Sequence, residues 1–254
     1  MSEEEPTPGS VRPGGRTART RAAVLTATFD ELGEGGYGEL TMEKIAQRSG
    51  VHLATVYRRW GSVERIICEL MIDKSADIAL PDTGSLRADL LGLASGIGGF
   101  YAAPRNRRVM EAVVAAAVRQ PYAAEMLRDF FRDRRCQAAV LVRRAIERGE
   151  VPADTDTDAV ISALGAPFYY RLLISRGPID QDLAETTAAA AYEAARAGVF
   201  RHPAAGPPPP RCPDDPPPDP PPDPESERDP ERQPQQGPAP EQGPAGVEPG
   251  ARQG

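Results

Sequence analysis

The side chains with the plainest chemical purpose lie in one run, Leu53-Ala54-Thr55-Val56-Tyr57-Arg58-Arg59-Trp60. Thr55 offers a hydroxyl and a methyl small enough for a base edge or a thymine methyl. The guanidinium groups of Arg58 and Arg59 can each fork onto O6 and N7 of guanine or grip a phosphate. The Tyr57 phenol suits a phosphate oxygen, as does the Thr41 hydroxyl beside the free N–H groups of a helix start. Leu53 and Ala54 can touch a groove through apolar contacts, and Arg19 and Arg21 can lie along a nucleic-acid backbone. Trp60 reads as a plug in the core, while His52 is either a phosphate contact or an exposed helix-start residue.

Short helices must present these groups. Val24, Leu25, Thr28, Phe29 and Leu32 recur at three- and four-residue steps and predict a helix over about residues 17–34, ended by Gly35-Gly36. Thr41 is an N-cap, without the Glu that would complete a capping box, for a second helix over 42–49 that buries Met42, Ile45 and Ala46. Gly50 turns the chain into a third helix over about 53–59, with Val56 and Trp60 inward. Ser62 caps a fourth, striped with Ile66, Ile67, Leu70 and Met71. Two short helices around a glycine turn, the second carrying Thr, Tyr and Arg outward, have the spacing of a helix-turn-helix.

The pattern stays helical beyond this point: 86–101, broken by Pro104; about 107–119, broken by Pro121; 122–148, stopped by Gly149 and Pro152; then 156–175 and 182–199. No stretch alternates with period two, so the expected fold class is all-α. It divides into a flexible arm (1–16), a helix-turn-helix domain (17–62), a larger helical domain (63–200) and a tail (201–254). The tail holds ten acidic residues against five arginines, and 19 of the 28 prolines lie within 202–254. With almost no large apolar side chain it is expected to be disordered.

The net charge of −7 hides an asymmetry: residues 12–65 carry nine basic groups against six acidic ones. A basic front end joins an acidic back end. Cys68, Cys136 and Cys212 are far apart, and neither they nor His52 and His202 have metal-ligand spacing. Neither a disulfide framework nor a metal site is expected, and reduced thiols fit a cytoplasmic protein. Glu3, Glu4 and Glu5 are the reverse of a signal peptide's basic start, and no apolar run approaches the roughly 18–20 residues that span a bilayer. With so few histidines and no strand-borne glycine loop, no enzyme chemistry and no cofactor are expected.

Residues 19–70 resemble the DNA-binding domain of the tetracycline-repressor (TetR) family. The resemblance is carried by Gly36-Tyr37, Leu40-Thr41-Met42-Glu43-Lys44-Ile45-Ala46, Ser49-Gly50-Val51 and Thr55-Val56-Tyr57-Arg58-Arg59-Trp60-Gly61-Ser62. Farther on, Gly165-Ala166-Pro167-Phe168-Tyr169-Tyr170-Arg171-Leu172-Leu173 resembles one branch of the same family. The resemblance implies a three-helix DNA-binding head on a helical regulatory core. It also implies a homodimer formed through the last two helices and a double-stranded, near-palindromic operator as partner. A small-molecule effector in the core would reorient the fourth helix and release DNA. One departure is Val63, which stands where many members place a phosphate-contacting lysine.

The effector site is expected among the large side chains able to line an interhelical cavity: Phe100, Tyr101, Met110, Val114, Met126, Phe130, Phe131, Tyr169 and Tyr170. These call for a mostly hydrophobic molecule. Val160, Leu164, Phe168 and Leu172 fall four apart on one helix face, as Ala188, Ala191, Tyr192 and Ala195 share another, and both are expected at the dimer interface. Pro167 should bend its helix near Ala163. The competing function is an effector-independent activator or architectural DNA-binding protein.

Affinity for duplex DNA should fall steeply with salt, the logarithm of the binding constant declining by about 0.9 per phosphate neutralised. Titrations between about 50 and 200 mM salt check this, and a flat response contradicts arginine-to-phosphate docking.

Overall fold

Among residues 14–201, which the computed structural model describes, the chain forms nine α-helices and no strand, with a single isolated bridge between Thr155 and Arg201. Helix α1 runs Gly14–Gly35, α2 Met42–Ser49, α3 Leu53–Trp60 and α4 Val63–Ser75, with a 3-10 turn at Tyr37–Glu39. Then follow α5 Leu86–Ala102, α6 Pro104–Arg119, α7 Pro121–Glu147, α8 Thr157–Tyr169 and α9 Gln181–Arg196. Of the expected N-terminal arm, residues 14–16 are helical rather than flexible, since the first turn of α1 needs no buried face to form. The rest of that arm, and the tail from residue 202, lie outside the described residues.

Local chemistry sets most boundaries. The Thr41 hydroxyl accepts the Lys44 N–H at 3.2 Å to start α2, and Gly50, at φ 67°, closes it in a left-handed conformation that a side chain would strain. Ser62, Asp156 and Asp180 cap α4, α8 and α9 by accepting N–H groups three residues on. The α5 start is served from a distance: the Glu150 carboxylate accepts the Leu86 N–H at 2.9 Å.

Three boundaries differ from expectation. Pro104 and Pro121 do not break helices but begin α6 and α7. At a first helical position the missing N–H has no partner to lose, and the fixed φ is already helical. Pro167 lies inside α8, yet α8 remains α-helical through Tyr169, and the departure comes later as a π-helical turn over Tyr170–Ser175. That turn ends at Arg176 with φ 57°, the one non-glycine residue with positive φ among those described.

One continuous core runs from Val24 in α1 to Ala195 in α9. α1 packs on α2, α4 and α6; α6 packs on α4 and α7; α8 lies against α7 and α9, and α9 against α5. Helices α2 and α3 are therefore seated on the larger helical body through α1 and α4. The Cys68 thiol is free and buried, and burial pushes it up to about 11.

Phe168 is among the largest fully buried side chains in the single chain. Phe168→Ala should lower the unfolding free energy by about 3–5 kcal/mol in urea titrations while leaving the oligomeric state unchanged below the transition. Dissociation without loss of stability would place Phe168 at a subunit interface instead.

Candidate functional site

Helix α3 is pinned by Val56 and Trp60, both buried, and turns Leu53, Ala54, Tyr57, Arg58 and Arg59 outward with Thr55 half-buried. Thr55, Arg58 and Arg59 border a shallow concavity of about 630 Å³ together with Arg16, Thr17 and Thr20 of α1 and Gly50, Val51 and His52. Three arginines and no carboxylate line it. Arg58 makes no ion pair among the described residues. Arg59 donates to the Thr17 carbonyl at 3.1 Å and lies 4.8 Å over the Trp60 ring, so its reach is partly fixed. The Tyr57 phenol donates to Glu43 at 3.3 Å, and the negative charge there holds its proton on more firmly than usual.

Arg19 is exposed on α1 but does not border the concavity. Arg16, which does, was passed over because the apolar pattern starts the helix later; the early start puts it one turn before Thr20 on the same face. Arg21, expected along a nucleic-acid backbone, is paired with Asp73 at 2.9 Å and Glu69 at 2.5 Å on α4, and so ties α1 to α4.

Below the head, an interior cavity of about 490 Å³ opens between α4, α5, α6, α7 and α8. Tyr101, Met110, Val114, Phe130, Phe131 and Tyr169 line it, six of the nine residues proposed from side-chain size. The aromatic rings meet edge to face, Tyr101 with Tyr169 at 5.8 Å and Phe131 with Tyr169 at 4.9 Å. Three of the nine are misplaced. Phe100 packs behind Tyr101 at 5.0 Å, Met126 borders a neighbouring cavity, and Tyr170 is 58 % exposed on the outside. Size alone does not report which side of a helix faces the cavity. Arg134, Arg135 and Ser75 also stand on the cavity wall and carry no apolar signal, and Ile78 lies in the loop after α4, outside any helical stripe.

Residues 24–70 match the model of the "bacterial regulatory proteins, tetR family", and residues 80–191 match that of the "tetracyclin repressor-like, C-terminal domain". The HTH-type transcriptional regulator YdeS of Bacillus subtilis is 32% identical over 63% of this chain and 81% of its own. The chain belongs to the TetR family of transcriptional regulators. AqdR of Rhodococcus erythropolis, another HTH-type regulator, is 31% identical over 59% of this chain and 72% of its own. Among solved structures, the TetR-family regulator SCO0332 aligns with a TM-score of 0.58 at 29% identity, over 69% of this chain and 97% of that one. MexZ, a repressor responsible for antibiotic resistance in Pseudomonas aeruginosa, shares the fold at a TM-score of 0.54 and 22% identity, over 72% of this chain and 98% of its own.

In this TetR-family regulator, polar ties join the DNA-binding head to the core. The Glu64 carboxylate on α4 accepts hydrogen bonds from Tyr37 and Tyr122, each at 3.1 Å. Burial opposes its charge, but its own backbone N–H and the Ser62, Tyr122 and Tyr37 hydroxyls bring it below the usual carboxylate range. On α6, Arg105 pairs with Asp30 at 2.9 Å and Arg108 donates to the Gly33 carbonyl, both on α1.

The residues expected at the dimer interface also need correction. Val160, Leu164, Phe168 and Leu172, with Ala188, Ala191 and Ala195, are buried inside the single chain, and Tyr192 is half-buried beneath Arg87. A four-residue repeat finds the inner face of a helix, and here that face meets α5 and α7 rather than a partner. The π-turn after α8 carries Tyr170 and Ile174 outward, the latter 71 % exposed, while the exposed Ser162 and Ala166 of α8 border the mouth of the cavity.

Arg58→Ala should cost about 1–3 kcal/mol of specific DNA binding if Arg58 reads a guanine, and should weaken all sequences alike if it holds a phosphate. Competition binding against scrambled duplexes separates the two. Arg21→Ala should lower thermal stability yet leave the salt slope of DNA binding unchanged; a slope reduced by about one would return Arg21 to the phosphate contacts.

Proposed function

We propose that this regulator is a cytoplasmic repressor that binds a near-palindromic operator as a homodimer and is released when a small hydrophobic effector enters the interior cavity. In this reading 17–62 forms the reading head and 63–200 the sensing and dimerisation body. Arg58, Arg59 and Thr55 face the major groove, Leu53 and Ala54 pack into it, and Tyr57, Thr41 and Arg19 stand near phosphates. The outer faces of the π-turn after α8 and of α9, with Tyr170, Ile174 and Ala190 exposed, form the dimer surface. Small residues among larger ones there permit close helix approach.

One observation carries the proposal. Helix α4 has the cavity-lining Ser75 as its last residue, while Glu69 and Glu64 on its earlier turns hold Trp60, Arg21, Tyr37 and Tyr122. A ligand that repacks the wall at Ser75 acts on the helix that orients α3. MexZ, named a repressor, supplies a precedent for the same fold. Among the described residues no helix is long and apolar enough to cross a membrane, and no group of three or more His, Cys, Asp or Glu could hold a metal.

Selection of bound sequences from random duplex DNA tests the operator. The expected product is a near-palindrome whose half-sites are spaced by one or more helical turns. A folded, helical protein that enriches no sequence at low salt overturns the reading.

A further inference from the structure

The interior cavity is largely apolar, and the polar groups on its wall are the Ser75, Ser162, Tyr101 and Tyr169 hydroxyls and two arginines. Arg134 and Arg135 of α7 are the cations on its wall, and Arg135 is paired with Asp158 at 2.6 Å. Arg134 has no carboxylate partner among the described residues. Its guanidinium donates to the Gln137 side chain at 3.0 Å and to the Ile78 carbonyl at 3.4 Å, both neutral acceptors. The nearby acids are already committed: Asp129 and Asp133, which border the neighbouring cavity, pair with Arg132 at 2.8 and 3.0 Å. The phenols of Tyr101 and Tyr169 do not supply a negative charge, because burial raises both and keeps them protonated. Burial also pulls Arg134 below the ordinary arginine value, with the two phenols opposing the change. A guanidinium is nevertheless charged at any ordinary pH, and a half-buried one held only by neutral acceptors is open to pairing with an anion.

We propose that the cavity takes an amphipathic organic anion, its acidic group bound by Arg134 and its apolar body held among Tyr101, Met110, Val114, Phe131 and Tyr169. The proposal rests on the reading of the cavity as the effector site and narrows the effector to one charge type. Arg134 suits a planar carboxylate best, since its fork can make two parallel hydrogen bonds, and a sulfonate presents oxygens of the same charge. Ser75, at the end of α4, lies on the same cavity wall as Arg134.

Two fluorescent probes that differ by one group test this with the full chain: anilinonaphthalene sulfonate and its uncharged parent, phenylnaphthylamine. The sulfonate should bind wild type at least about tenfold more tightly than the neutral dye. Arg134→Gln should remove that preference and leave the neutral dye within about twofold, and Arg134→Lys should restore part of it. Val114→Trp, which fills the cavity, should weaken both dyes. Equal affinities for the two dyes in wild type, or a preference that survives Arg134→Gln, overturns the anion proposal while leaving the cavity as a site for neutral molecules. Failure of both dyes to bind, or binding unaffected by Val114→Trp, overturns the effector reading together with it.

Discussion

Glu69 on α4 accepts the Trp60 indole N–H and the Arg21 guanidinium, each at 2.5 Å. Three helices meet at this carboxylate: the first, the reading helix and the one that leads to the cavity. Both charged partners are about a third exposed, so the ion pair itself contributes no more than about 1 kcal/mol. Its weight is geometric. Trp60 is the inward anchor of α3, and with its ring buried and its nitrogen held by α4, the outward angle of Thr55, Arg58 and Arg59 follows α4.

The 13 residues of α4 span roughly 20 Å at helical rise, enough to join the DNA face to the sensing body as one rigid element. Glu64 sits a turn and a half before Glu69 and ties the same helix to Tyr37 in the 3-10 turn and Tyr122 at the start of α7. Arg105 and Arg108 hold α1 to α6 independently. A shift of α1 and α4 relative to α6 and α7 would therefore have to break or remake these ties. A packed interface of this kind changes by discrete repacking rather than by gradual bending.

The cavity owes its shape to the edge-to-face series Phe100, Tyr101, Tyr169, Phe131 and Phe130, whose neighbours stand 4.9–5.8 Å apart. Rings from three helices meet edge to face here and leave between them a largely apolar chamber with Arg134 on its wall. Tyr169 is the last residue of α8 before the chain enters the π-turn, so the ring that bridges Tyr101 and Phe131 sits where the helix departs from α-geometry. Arg176, held at positive φ, closes that turn and pairs with Glu111 of α6 at 2.6 Å. The chamber and the irregular turn are thus parts of one piece of packing.

The helix-turn-helix was legible because its causes are local. Thr41, Gly50 and Ser62 act on backbone groups within three residues of themselves, and Val56 and Trp60 show their burial by spacing alone. Pro104 and Pro121 were ambiguous by nature: the same ring that breaks a helix interior begins a new helix, and only the structure shows which side the helix lies on. Periodicity located the inner faces of α8 and α9 but not what covers them, so Val160 through Leu172 read as an interface when they are core. Arg21 and Arg134 mark the limit most clearly. Both are arginines on amphipathic helices, one neutralised by two carboxylates some fifty residues away and the other with no carboxylate partner among the described residues. Secondary structure, the reading head and the all-helical class followed from short-range capping and period. Which charges remain available, and which aromatic rings share a chamber, was decided only when distant helices came together, because electrostatic compensation depends on distance in space and not on distance along the chain.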